Sequence, residues 1–288
     1  MIFYLALVCA GWIGTGILAA LAARVGLVDR SESAPERKLQ ATPVPRVGGI
    51  VLALGWMVLS WAWIWPLDAT WALVLAFAVG LADDLSPRGL PRVVKFALEA
   101  CVCALFAWQY PGSSALGFAL AALALSAANT FDNADGALGA LGCAGLALSV
   151  PYAAAILGGF LPWNLWIRAK SGAPAAYLGD AGSHVLGILL VSDPRSAPFL
   201  VLPALDLVRL AFVRWRAGSR PWIGDRRHLA HRLQARGLGP TAVALALLAV
   251  ASPAFFLEPA WAAGATAILF AAALLLAPDP CPRPARAG

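Results

Sequence analysis

Ala69-Thr-Trp-Ala-Leu-Val-Leu-Ala-Phe-Ala-Val-Gly-Leu-Ala-Asp-Asp-Leu85 is almost wholly apolar until it meets two adjacent carboxylates. Charge at the end of an apolar span is costly beside a bilayer and generally marks where an ion or a charged substrate is handled. The pattern recurs along the chain. Asn129-Thr-Phe-Asp-Asn-Ala-Asp-Gly136, Tyr177-Leu-Gly-Asp-Ala-Gly-Ser183 and the basic Gly224-Asp-Arg-Arg-His-Leu-Ala-His-Arg232 each interrupt an apolar sequence. The arrangement predicts a membrane protein with an acidic mouth on one side.

Composition fixes the class. Of 288 residues, 61% are hydrophobic and 12% charged, whereas soluble domains carry about 25% charge. No G-x-x-x-x-G-K-[ST] loop is present, and a soluble nucleotide enzyme is excluded. About 20 apolar residues cross the hydrocarbon core. Polar interruptions divide the chain into candidate spans at 1–23, 47–65, 69–82, 93–108, 114–128, 137–150, 152–167, 183–191, 197–213, 240–257 and 260–276. The expected fold is an all-α integral membrane protein, a polytopic bundle of about 10 or 11 transmembrane segments over residues 1–278. A short tail at 279–288 follows, and the catalytic loops face the cytoplasm. The 183–191 segment is too short to cross upright; a half-helix and a locally thinned bilayer both account for it.

Orientation follows from the basic residues. Arg24, Arg30, Arg37, Lys38 and Arg46 share one loop; Arg88, Arg92 and Lys95 share another; Arg168 and Lys170 lie in a third. Seven arginines from Arg214 to Arg236 form a fourth. Alternating the spans puts these loops and every acidic stretch on the cytoplasmic side. Trp56, Trp61, Trp63, Trp65 and Trp71 then fall near the opposite face, as an interfacial aromatic belt would. Cys9, Cys101, Cys103, Cys143 and Cys281 show no C-x-x-C spacing and read as small buried hydrophobes.

Each acidic stretch has a chemical and a plain structural reading. Asp83 and Asp84 repel unless a divalent cation or cationic partner offsets them; two carboxylates solvated at the interface account for them equally well. Asn129, Asp132, Asn133 and Asp135 would present several oxygens in one turn, suited to Mg2+ with substrate phosphates, or would satisfy their own backbone. Asp180 opens a helix whose first amides could face a phosphate held through a metal ion, or could be an ordinary cap. His184 reads as a packed interior residue. His228 and His231, spaced i,i+3 among Arg226, Arg227 and Arg232, would suit a pyrophosphate.

Taken in order, these segments resemble the polyprenyl-phosphate N-acetylhexosamine-1-phosphate transferase family over about residues 24–236. Arg37-Lys38 with Thr42-Pro-Val-Pro-Arg-Val-Gly-Gly49, Gly80-Leu-Ala-Asp-Asp84 with Lys95, and Asn129 to Leu138 match its first three motifs. Gly159-Phe-Leu-Pro-Trp-Asn164 with Tyr177 to Ser183, and Pro203-Ala-Leu-Asp206 with Asp225 to Arg232, match the rest. The resemblance implies transfer of a hexosamine-1-phosphate from a UDP-sugar to undecaprenyl or another polyprenyl phosphate, releasing UMP. Mg2+ would be the cofactor, with Mn2+ as a substitute.

It further implies that Asp83, Asp84 and Asp180 are catalytic, with Asp180 and Asp84 as metal ligands. Lys38 and Lys95 would hold phosphates. Asn129, Asp132 and Asp135 would line the nucleotide site, where Tyr177 stacks on uracil, and Asn164, Arg227, His228 and His231 would complete substrate binding. The expected setting is the bacterial inner membrane, with membrane lipids as surroundings, no nucleic acid as partner and room for a homodimer. The matching branch starts cell-envelope glycans such as O-antigen. The phospho-MurNAc-pentapeptide translocase branch ranks second.

The sequence departs from the family pattern at Gln40, Ser126, Asn133, Ala137 and Ala230. A catalytically degenerate homologue and a transporter are the rival readings. A coupled carrier also uses intramembrane acids, and Asp206 is the only deep candidate for one.

Overall fold

The computed structural model of the protein describes residues 1–29, 42–61, 69–220 and 226–277. Lys38, Gln40, Trp63, Trp65, Asp225 and the 279–288 tail lie outside the described residues. Among the described residues the fold is helical apart from one ribbon of two short strands, β1 (Val28–Asp29) antiparallel to β2 (Val44–Pro45). The chain is a multi-pass membrane protein.

The helices follow the apolar runs. They are α1 (Ile2–Val25), α2 (Gly48–Trp61), α3 (Thr70–Leu85), α4 (Arg92–Gln109), α5 (Ser114–Phe131), α6 (Ala137–Ser149) and α7 (Pro151–Leu165). After these come α8 (Gly179–Val191), α9 (Val201–Arg216), the seven-residue α10 (Leu229–Ala235), α11 (Pro240–Ala251) and α12 (Pro259–Leu276). Two expected spans open or close with a 3-10 turn, at Ala197–Leu200 before α9 and at Ser252–Phe255 after α11. Each turn has a proline at its start, and proline suits the first turn of a helix. Among the described residues, three helices are long and apolar enough to cross a bilayer alone: Ile2–Ala22 within α1, α5 and α12.

The short segment expected near Ser183 is the centre of the molecule. Every residue of α8 from Ala181 to Val191 is buried, and α2, α3, α5 and α6 all pack on it. Thirteen residues rise about 20 Å against a core of about 30 Å, so α8 alone does not reach across. Such a broken span is tolerated because protein, not lipid, surrounds its ends.

Small residues bring the partners of α8 close. A Cβ at Gly49 of α2 would meet Gly182 N at 2.2 Å, and one at Gly80 of α3 would meet the Ala181 N and Cα at 2.5 Å. Backbone contact of this kind replaces the solvophobic drive that helices lack inside lipid. The crossing of α1 and α7 uses the same device, with Gly11 against the Ile156 carbonyl and Gly159 against the Val8 carbonyl.

One expectation is corrected here. Trp56 is not part of an interfacial belt. It is buried, and it lines an apolar cleft of about 310 Å³ between α2, α3 and α8. Trp71, at 62% exposure, remains on the surface. The first turns of α2 bring Trp56 round to the side that packs on α8, a rotation that an all-apolar helix does not advertise.

Candidate functional site

The site is assembled at the N-terminus of α8. The strand leaving β2 is stitched to the segment before α8: Tyr177 N–H donates to the Pro45 carbonyl at 2.8 Å, and the Val47 and Gly48 amides donate to the Tyr177 carbonyl at 3.1 and 3.0 Å. The Gly49 amide donates to the Leu178 carbonyl at 2.9 Å. This zipper sets α2 and α8 side by side at their starts. Gly179 then turns the chain with φ of +79°, a conformation that costs glycine little.

Asp84 is fixed by that turn. Its Oδ1 accepts the Asp180 amide and its Oδ2 the Ala181 amide, both at 3.0 Å. Arg46 also donates to Asp84 Oδ1, at 3.2 Å, and ion-pairs through its other terminal nitrogen with Asp29. The Asp84 side chain is 1% exposed. A carboxylate at a helix N-terminus satisfies orphan amides and suits the dipole. Sequence reasoning left those amides open to a phosphate; the structure fills them with Asp84.

Asp83 and Asp180 face Lys95 instead. The Lys95 ammonium pairs with Asp180 and lies 3.4 Å from Asp83 Oδ2, while Asp83 Oδ1 accepts the Leu90 amide at 2.8 Å. Asp180 keeps 27% of its side chain exposed, the most open carboxylate of the three. Asp132, in the turn after α5, feels Asp180, Asp84 and Asp135. Burial first, then those three charges, pushes its carboxyl up to about 8. Asp135 pairs with Arg168 at 2.5 Å; burial raises its pKa and Arg168 opposes the rise. The Tyr177 phenol, half-buried, is pushed upward by burial and by Asp135, Asp29 and Asp132. It is a neutral ring at the edge of the acidic mouth.

Other expected residues have local duties. The Asn164 amide bonds to backbone at both ends: its Oδ1 accepts the Gly136 amide at 2.6 Å and its Nδ2 donates to the Ala176 carbonyl at 2.9 Å. It joins the Asn129–Gly136 turn to the approach of α8. Asn129 is half-buried in the last turn of α5. Asn133 donates to the Thr130 carbonyl at 2.8 Å.

The last basic loop is organised around Asp206 of α9, which is 1% exposed. Asp206 accepts from Arg209 at 3.1 Å, lies 3.0 Å from His228 Nδ1, and accepts the Leu229 amide at 3.4 Å. Arg209 also donates to the Arg227 carbonyl. The His228 and His231 rings stand edge to face, 5.8 Å apart. His228 is the residue before α10, not within it, so the two rings meet across a helix start, not along one helical face.

A divalent cation fits the donor set in one way. Among the described residues, no three His, Cys, Asp or Glu side chains converge as a closed cage. Mg2+ needs no such cage: it keeps waters and takes one or two carboxylates plus substrate phosphates. The hard oxygens of Asp180 and Asp83 meet that need, whereas Asp84 is largely committed to amides and Arg46. Sequence reasoning did not assign Arg46, Asp29, Arg168, Glu99 or the engagement of His184. The i,i+4 spacings Lys95/Glu99 and Asp180/His184 were the available signal.

No family model matches the chain. Two decaprenyl-phosphate N-acetylglucosaminephosphotransferases, from Mycobacterium tuberculosis strains CDC 1551 / Oshkosh and ATCC 25618 / H37Rv, are each 26% identical over 77% of this chain and 72% of their own length. The enzyme of that name from Mycolicibacterium smegmatis (strain ATCC 700084 / mc(2)155) is 34% identical over 30% of this chain and 26% of its own. The chain is similar to these transferases, and the aligned share is larger than any single motif, so the resemblance is one of the chain and not of scattered acids. The segments around Asp84 and Asp180 meet at one helix start although 96 residues separate them.

Proposed function

We propose that the protein transfers an N-acetylhexosamine-1-phosphate from a UDP-sugar to a polyprenyl phosphate, undecaprenyl phosphate in a bacterial membrane, and releases UMP. The observation that carries the proposal is the meeting of Asp83, Lys95 and Asp180 in a half-open mouth, in a chain similar to named polyprenyl-phosphate transferases.

In the reaction a phosphate oxygen of the lipid bonds to the sugar-bearing phosphorus as the bond from that phosphorus to the bridging oxygen of UMP breaks. Both substrates are polyanions, so neutralisation and alignment matter more than covalent catalysis. A bound Mg2+ would supply Lewis-acid charge neutralisation for the phosphates, with Asp180 and Asp83 holding it. Lys95 orients those two carboxylates and adds one positive charge. Arg46 and Asp84 fix the start of α8, so the open carboxylate of Asp180 is held by a rigid turn. Tyr177, with Asp132 and Asp135 beside it, offers the base a neutral ring. Arg226, Arg227 and His231 of the last basic loop are suited to donor phosphates, whereas Arg232 is buried and donates to the Leu274 carbonyl at 2.9 Å. The positive-inside pattern supports a cytoplasm-facing site in the bacterial inner membrane.

The test is UMP release by purified protein in detergent with undecaprenyl phosphate, Mg2+ and a panel of UDP-sugars, repeated in EDTA. Metal-dependent release with one donor supports the proposal and names the sugar. Folded protein that releases no UMP with any donor overturns it in favour of a degenerate homologue. Asp206 speaks against a carrier, because its carboxylate already serves Arg209, His228 and the Leu229 amide.

A further inference from the structure

The seven-residue α10 carries His231, and His228 stands at its start. An isolated helix shorter than about 12 residues is marginal in water, so contacts with other elements decide how α10 sits. One tie is to α9, where Asp206 takes the Leu229 amide and faces His228.

The second tie runs to α12. Arg232 is 7% exposed. It donates through Nε to the Ala277 carbonyl and through a terminal nitrogen to the Leu274 carbonyl at 2.9 Å. Leu274 holds one of the last four carbonyls of α12, which find no partner within a helix, and Ala277 is the C-cap. The last turn of α12 contains no basic residue of its own. Arg232 supplies, from 42 residues before Leu274, the cation and the paired donors that a helix C-terminus favours.

Spacing along the chain groups Arg232 with Arg226 and Arg227 as a phosphate ligand, but its guanidinium is committed to protein. Successive residues of a helix point about 100° apart. Holding Arg232 against α12 therefore fixes the rotation of α10 about its axis, and with it the direction of its neighbour His231. His231 is half-buried, and its Nδ1 lies 3.0 Å from Gln234 Oε1. That contact is inside α10 and turns with it, so it does not set the rotation.

We propose that Arg232 is a positioning residue: by capping α12 it sets the rotation of α10 and so presents His231 to the donor's phosphates. The kinetic consequence rests on the transferase reading above, and the rotation rests on the hydrogen bonds alone.

The rotation is measurable without substrate. The chain has three histidines, so histidine-selective 15N labelling, with His231→Ala to assign the signal, follows the ring directly. Arg232→Met should move the His231 signal and leave that of His184, on α8, in place. An unmoved His231 signal overturns the proposal. Arg232→Lys keeps the charge but lacks the rigid fork that spans two carbonyls. It should move the signal too, and it replaces Arg232→Met if that variant does not fold.

Kinetically, either variant should raise KM for the UDP-sugar about tenfold, the size of one misdirected charge-assisted contact, with kcat within about threefold of wild type. KM for the lipid phosphate should change little. In a His231→Ala background the same substitution should add less than about twofold, because its effect passes through His231. Full additivity overturns the positioning role. So does an Arg232→Lys enzyme with wild-type KM, which would show a charge acting on the substrate directly. A wild-type protein that releases no UMP would count against the transferase reading and leave the ring signal to decide the rotation.

Discussion

Asp84 caps the first turn of α8, at Asp180. Its two oxygens take the amides of Asp180 and Ala181 at 3.0 Å each, from a different helix and 96 residues earlier in the chain. The paired aspartates at the end of α3 therefore divide their work. Asp84 builds the site, while Asp83 faces Lys95 within it.

Asp84→Ala should cost stability as well as activity. It removes a charge-assisted cap and leaves two amides and part of Arg46 unpaired, a loss of about 2 kcal/mol. Thermal unfolding in detergent measures it. An unchanged melting temperature would contradict the capping role.

Asp180→Asn should behave differently. The side chain is partly open, and its amide can still accept from Lys95, so the fold should survive. Metal-dependent UMP release should fall by at least about 10²-fold, as expected for loss of an electrostatic group at the reacting centre. Full turnover in the variant would remove the assigned role.

Gly80→Ala tests the contact between α3 and α8. The added Cβ would lie 2.5 Å from backbone atoms of Ala181, which cannot swing away. Overpacking of this kind costs about 1–3 kcal/mol. It should also reduce activity, because the helices that separate carry Asp83 and Asp180. Retained stability and turnover together would show that the helices part without consequence.

Asp132 sets a pH dependence. Its carboxyl is pushed up to about 8, whereas an unfolded Asp titrates near ~3.9. Between those values the folded protein keeps a proton that the unfolded chain has released, so stability falls as pH rises through this window. Asp132→Asn should flatten that slope, and Mg2+ should flatten it in the parent, because a cation offsets the repulsion from Asp180 and Asp84. Melting temperature against pH, with and without Mg2+, is the measurement; parallel slopes in parent and variant would contradict the assignment.

Ala230 stands where the transferase pattern that the sequence resembles has a further histidine. Sequence comparison alone would expect Ala230→His to raise the rate. Ala230 is 1% exposed and packed in the core, so the structure predicts the opposite: lower stability, by about 1–3 kcal/mol, and no gain in UMP release. A faster variant would show that the loop opens to accept the ring.

Much of this was legible in the chain. The helices at 2–25, 114–131 and 259–276 coincide with long apolar runs, since a bilayer-facing helix needs little beyond length and apolarity. Asp83, Asp84 and Asp180 stood out because charge is rare here. His184, Glu99 and Arg46 did not stand out in the same way, because their charged partners lie on other elements of the fold. A single buried histidine looks the same in sequence whether it packs or holds a carbonyl.

By itself the sequence determined the class, the approximate positions of the helices and the acidic set, because hydropathy and the scarcity of charge act locally along a chain in lipid. Only the tertiary structure decided which carboxylate caps and which stays open. That choice depends on where the amides of Asp180 and Ala181 point, and on how closely Gly49 and Gly80 let α2 and α3 approach them. Amide direction and backbone separation are properties of three helices packed together, and no one of the three sequences contains them.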